Sequence, residues 1–224
     1  MSEIPCRFPG ETAIVAGTGP SLTPEDIALC NDARWSGDVR IFAACRAHEL
    51  FNADVMHACN AIFYSTWWEK IKGKRCDKWT TDLVTPRLPA PPPGSVDKSV
   101  RYIDVKWNKG LSQDPSYICA HHGSGPMLVN IAYLYGCTRL LLIGWDMRFP
   151  GKVSDKEYTK PRRYLGEDEL TDKCWPKTGP QGERPLLIKE METIHPEDYG
   201  IEIINCSPGS ALKHFPMKRL SDCL

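Results

Sequence analysis

The residues best suited to chemistry fall in five places along the 224-residue chain. Gly17-Thr18-Gly19-Pro20-Ser21 follows a short β-rich run. Glycines at a strand's end let backbone approach a ligand, and the free N–H groups of a following helix attract phosphate. The turn lacks the third glycine of the dinucleotide fingerprint and the lysine of a P-loop. Gly123-Ser124-Gly125-Pro126 repeats the pattern at a second helix start, where Ser124 either caps the helix or offers its hydroxyl to an anionic substrate. His121 and His122 stand just before it, and a neutral imidazole is a candidate general base. Asp146, after the apolar run 140–143 and Gly144-Trp145, lies where α/β proteins place ligands. No second carboxylate pairs with it in a DxD, so metal-dependent chemistry is not expected. Asn60, after Met56-His57-Ala58-Cys59, has an amide suited to a base or sugar hydroxyl. Trp67 and Trp68 read as packing residues.

The fifth place is a charged stretch expected to be a lid over 148–183. From 148 to 163 it holds six basic residues (Arg148, Lys152, Lys156, Lys160, Arg162, Arg163) against two acidic ones, with Tyr158 and Tyr164 interleaved. Glu167, Asp168 and Glu169 follow. A solvated loop is the plain reading, and a flap that closes over phosphate and steadies a leaving group is the functional one.

The elements that must position these residues alternate. Strands are predicted at Thr12–Ala16, Val39–Ala44, 54–58, 140–143 and Glu202–Asn205. Helices are predicted from Pro24, capped by Thr23, at 47–51, 61–71, 124–137 and 186–194. Residues 100–107 alternate like a strand at a sheet edge. A proline-rich excursion covers 85–95. Strand–helix alternation implies a Rossmann-like α/β fold, a mostly parallel sheet with helices on both faces, in one domain spanning 1–224.

Composition narrows the function classes. Twenty-eight Lys+Arg balance 28 Asp+Glu, which argues against a surface made wholly for nucleic acid or anionic membrane. Apolar runs are too short to span a bilayer and no signal core opens the chain, so a cytoplasmic protein is expected. Ten cysteines show no CxxC pair or ligand spacing. Cys45, Cys59, Cys137 and Cys206 read as small buried hydrophobes.

Together the pieces resemble a known group. Gly17-Thr18-Gly19-Pro20-Ser21-Leu22 resembles the opening of family 42 glycosyltransferases, the bacterial sialyltransferases, and of the related 6-hydroxymethylpterin diphosphokinase MptE-like domains. Ser124-Gly125, then Tyr135-Gly136-Cys137, then Leu140 to Asp146 is similar to their middle block, and Ile201 to Leu212 to their closing strand and turn. The ACN…WW segment and the Phe215-Pro216…Leu220 ending resemble phage proteins of this type. The resemblance implies that Gly17, Thr18, Gly19, Pro20, Ser21, Gly123, Ser124 and Gly125 hold the nucleotide of an activated sugar. Asn60 and Cys45 fall near asparagines the family uses for that purpose. Tyr158, Tyr164, Arg148, Arg162 and Arg163 would steady the departing phosphate. The family's base is a histidine in the lid. Residues 148–187 hold none, so the base is sought among Asp146, His121 and His122.

The expectation is therefore a glycosyltransferase that takes a nucleotide sugar as co-substrate, with no other cofactor and no metal. A hydroxymethylated base of phage DNA is one acceptor, which would place the protein in the host cytoplasm, and a small sugar or glycan is the other. A homo-oligomer is compatible with this reading, and no membrane partner is expected. The rivals are an MptE-like nucleotide-dependent diphosphokinase and a nucleotide-binding module without catalysis.

Overall fold

The computed structural model describes residues 2–81, 96–119, 123–148 and 185–224. The lid beyond Arg148, with Tyr158, Arg162, Arg163 and Tyr164, lies outside the described residues, as do His121, His122 and the whole 85–95 excursion together with its neighbours 82–84.

Among the described residues eight strands form one parallel sheet, in the order β6-β5-β4-β3-β2-β1-β7-β8. They are β1 (Thr12–Ala16), β2 (Val39–Ala44), β3 (Val55–Ala58), β4 (Asp77–Thr81), β5 (Val100–Lys106), β6 (Tyr117–Cys119), β7 (Arg139–Ile143) and β8 (Glu202–Asn205). The helices are α1 (Pro24–Ser36), α2 (Ile62–Ile71), α3 (Ser124–Leu134) and α4 (Pro185–Met191). This is the Rossmann-like α/β architecture that the alternation implied.

Strand periodicity sorts the core onto two faces. Ala13 and Val15 of β1, Phe42 of β2 and Leu140 and Leu142 of β7 join α3 and α4 residues in one cluster. Ile14 and Ala16, Ile41 and Ala43, and Leu141 and Ile143 point the other way, toward Cys30 of α1. Strands covered on both faces read as nearly continuous apolar runs, as β7 does. Tyr135, at the end of α3, ties its cluster to the sheet. Its hydroxyl accepts from Trp79 Nε1–H at 2.8 Å and donates to Asp77 Oδ2 at 2.6 Å.

Several expectations are corrected. Residues 100–106 are not an edge strand, because β5 is paired by β4 on one side and β6 on the other. The predicted helix at 47–51 is a 3-10 turn at Cys45–Glu49. Helix α3 ends at Leu134, short of Cys137. Strands β4 and β6 had no counterpart in the sequence reading.

Among the described residues the topology has one strand-order reversal. From β1 the chain steps to β2 and β3 on one side, whereas β7 and β8 lie on the other. Strand order reverses between β1 and β7, and in an open parallel sheet the crevice at the strands' carboxyl ends opens at that reversal. Residues 17–21 leave β1 there, and Gly144, Trp145 and Asp146 leave β7 beside them.

Candidate functional site

Two turns meet across the reversal. Gly17 N–H donates to Ile143 O and Gly19 N–H to Gly144 O, each at 2.8 Å. Ser21 then clasps the carboxylate of Asp146. Its N–H donates to Oδ1 at 3.1 Å, and its hydroxyl donates to Oδ2 at 2.8 Å. Glycine is required at position 19, where a Cβ would stand 1.9 Å from Asp146 Oδ2 and 2.5 Å from Gly144 O. Gly144 itself turns with φ +66°, the left-handed region.

Asp146 is buried. Burial lifts its carboxyl above the usual carboxylate range, while the two Ser21 hydrogen bonds and the nearby Arg148 pull it back. The backbone around it is fixed from β8's exit. Ser207 Oγ accepts from Trp145 N–H at 2.7 Å, Ser210 Oγ–H donates to Trp145 O at 2.6 Å, and Ala211 N–H donates to Asp146 O at 2.8 Å. Arg148 reaches the same loop and donates to Gly209 O. Met147, next to Asp146, holds φ +51°, a conformation costly for any residue that carries a Cβ.

The second glycine turn reaches the first through Trp145. A Cβ on Gly17 would stand 3.4 Å from Trp145 Cδ1, and one on Gly125 3.1 Å from Trp145 Cη2. One buried indole, its Nε1–H given to Val15 O at 2.8 Å, therefore separates the turns that open α1 and α3.

Ser124 does not cap α3. Gly123 is the N-cap, and no side chain caps the helix among the described residues. The Ser124 hydroxyl instead accepts from Cys59 N–H at 3.0 Å and from the Cys45 thiol at 3.1 Å. These two cysteines, read as core hydrophobes, are half-buried partners of a polar group at the ends of β2 and β3. Cys45 also takes a left-handed φ of +47°. Cys137 and Cys206 are buried as expected. Burial pushes the Cys59 thiol up, and the Ser124 hydroxyl offsets part of the rise.

Beneath Ser124 lies His57. Its Nδ1 is 3.1 Å from Ser124 O, so Nδ1 carries the proton and donates. Nε2 is buried without a hydrogen-bond partner, and burial lowers the imidazole pKa to about 4. Asn60 stands at the end of β3, its carbonyl accepting from Phe63 N–H at 3.0 Å as α2 begins. Trp67 packs beside α2's apolar cluster with Arg46 over its ring at 4.3 Å, in keeping with a packing role.

Gly17, Gly19, Ser21, Gly125 and Asp146 are thus brought to one place, and Cys45 to Ser124. Trp145, His57, Cys59 and Ser207 were missed as site residues. The signal for Trp145 was its place between Gly144 and Asp146. The signal for His57 was a lone imidazole in an apolar strand.

Fold and site define a parallel α/β protein in which a buried carboxylate meets a glycine turn at the strand-order reversal. No protein-family model, curated protein or solved structure matches the chain. No helix among the described residues is long and apolar enough to cross a membrane.

Proposed function

We propose that the protein transfers a glycosyl group from a nucleotide sugar to a hydroxyl acceptor at the β1–β7 crevice. The observation that carries this reading is the Ser21–Asp146 clasp, which fixes a buried carboxylate at the reversal point where α/β folds bind ligands. Two further features support it. Helix α3 begins there without a side-chain cap, so its dipole and first N–H groups suit a phosphate. Left-handed backbone at Cys45 and Met147, on two strand exits, is the kind of strain that functional sites retain.

The chemistry is direct displacement. The acceptor oxygen attacks the anomeric carbon, the bond from that carbon to the phosphate oxygen breaks, and its electron pair leaves with the nucleotide. The acceptor's proton passes to a base drawn from Asp146, His121 and His122. The cations of 148–163 neutralise the departing phosphate. A hydroxymethylated DNA base is the acceptor class we favour, since that basic run can meet a polyanion while the chain as a whole stays neutral.

Incubation with a panel of nucleotide sugars tests the reading. Release of free nucleotide, accelerated by the right acceptor, is the expected result. A second reading, a nucleotide-binding module without turnover, is favoured by the absence of histidine from 148–187. Binding with no release in the same incubation would select it.

A further inference from the structure

The 17–21 turn has spent most of its backbone donors inside the protein. Of the five N–H groups from 17 to 22 four are engaged: Gly17 to Ile143 O, Gly19 to Gly144 O, Ser21 to Asp146 Oδ1 and Leu22 to Gly19 O, while Pro20 has none. Helix α1 behind the turn is closed by its own acid. Thr23 and Asp26 form a reciprocal capping box, with Asp26 N–H on Thr23 Oγ1 at 3.1 Å and Thr23 N–H on Asp26 Oδ2 at 3.2 Å. A phosphate brought to this turn would find most of its donors taken and a carboxylate in its seat.

That carboxylate still has capacity. A carboxylate offers about four lone-pair positions over its two oxygens, and among the described residues Ser21 takes one on each oxygen. One acceptor position per oxygen is left, which matches two adjacent hydroxyls. The raised carboxyl pKa agrees, because burial outweighs the hydrogen bonds and the Arg148 charge that favour the anion among the described residues. The loop that holds it is anchored by Ser207, Ser210 and the Ala211 N–H, so the oxygens are pre-positioned.

We infer that Asp146 binds the vicinal diol of the ribose of a nucleotide conjugate, and that the ligand's phosphate is held away from the 17–21 turn. This rests on the nucleotide-sugar reading above. It makes Asp146 a specificity-determining residue and leaves the base to His121 and His122.

The test is equilibrium binding of the four common ribonucleoside diphosphates, their 2′,3′-dideoxy forms and inorganic pyrophosphate, to the wild-type chain and to Asp146→Asn. The asparagine keeps an oxygen for Ser21 N–H and an NH₂ for Ser21 Oγ, so the clasp survives without its charge. At least one ribonucleotide should bind the wild type about ten-fold or more tightly than its dideoxy form, as expected for hydrogen bonds to a charged group. In Asp146→Asn that preference should shrink to about two-fold, with pyrophosphate affinity nearly unchanged. Absence of the diol preference in the wild type overturns the inference, with no variant needed. So does failure of every ribonucleotide to bind, and so does pyrophosphate binding about ten-fold more tightly to Asp146→Asn, which would put phosphate in the turn. Diol preference without sugar transfer would refute only the transferase reading, and transfer without diol preference only this inference.

Discussion

Two turns in this protein share one four-residue pattern, glycine, any residue, glycine, proline, the first a few residues ahead of α1 and the second at the start of α3, yet they present opposite surfaces. The turn ahead of α1, at 17–20, is filled. Asp146 lies against Gly19 and Ser21, and Asp26 caps the helix behind them. The start of α3, at 123–126, carries no side-chain cap, because its serine hydroxyl is turned toward Cys59 and Cys45 at the ends of neighbouring strands. The glycines mean close approach in both places. What approaches is decided elsewhere: a carboxylate from β7's exit in one case, the edge of an indole in the other. A glycine-rich helix start is therefore a statement about space, and only its distant partner says which charge belongs there.

The severest way to break the contrast is to crowd the filled start. In Gly19→Ala the new methyl would occupy the position 1.9 Å from Asp146 Oδ2, so the clasp or the turn must give way. Overpacking together with loss of a charge-assisted hydrogen bond is expected to cost about 4 kcal/mol in urea unfolding. The matching change at α3, Gly125→Ala, meets Trp145 carbon at 3.1 Å and should cost about 1 kcal/mol. Equal losses at the two positions would show that the starts are not built differently.

Acid should act next, and on the α3 side. His57 titrates at about 4 in the fold and near its ordinary 6.5 when unfolded. The unfolded chain therefore holds more protons between those values, and stability falls as pH drops from 6.5 toward 4, then levels. The loss is on the order of 3 kcal/mol by pH 4. Buried His48, lowered to about 4 by burial, adds a similar slope. Substituting His57→Asn, which keeps a donor for Ser124 O, should remove one proton's worth of the pH slope. An unchanged slope would mean that His57 does not titrate as its burial implies.

Much of this fold was legible in the sequence because β1, β2, β7 and β8 are apolar runs bounded by turns, and Thr23-Pro24 with Asp26 is a complete helix-start signature. Strand β4 was not legible. Asp77-Lys78-Trp79-Thr80-Thr81 has the polarity of a loop, yet it is interior to the sheet because its polar groups find backbone partners. Lys78 Nζ donates to Lys74 O, Thr80 Oγ1 to Ala58 O and Thr81 Oγ1 to Cys59 O. Strand β6, three residues long, is too short for periodicity to register. The glycine turns and Asp146 were visible as types in the right order. Their contact was not, since Ser21 and Asp146 lie 125 positions apart and no local spacing encodes a meeting of two strand exits. Cysteines read as core fillers turned out to serve Ser124 for the same reason.

A smaller change sharpens the contrast at α3. Ser124→Ala removes the acceptor from Cys59 N–H and from the Cys45 thiol. A partly buried backbone donor left unsatisfied should cost about 2 kcal/mol in unfolding free energy. The helix start itself is untouched, so nucleotide affinity should fall less than stability does. An equally large loss of affinity would make the Ser124 hydroxyl a direct ligand contact.

The smallest expected effect separates the two devices that fill α1's start. Thr23→Ala deletes the oxygen that accepts from Asp26 N–H, while Ser21 and Asp146 keep both of their hydrogen bonds. Loss of such a cap is expected to cost about 1 kcal/mol. Combined with Asp26→Ala it should cost clearly less than the sum, since each change removes the same box. Combined with Asp146→Asn the costs should add to within about 0.5 kcal/mol, provided the clasp and the cap are independent. Strong coupling in that second pair would mean that Asp146 supports the helix start itself, and the contrast between a filled and an open start would then reduce to two ways of capping a helix.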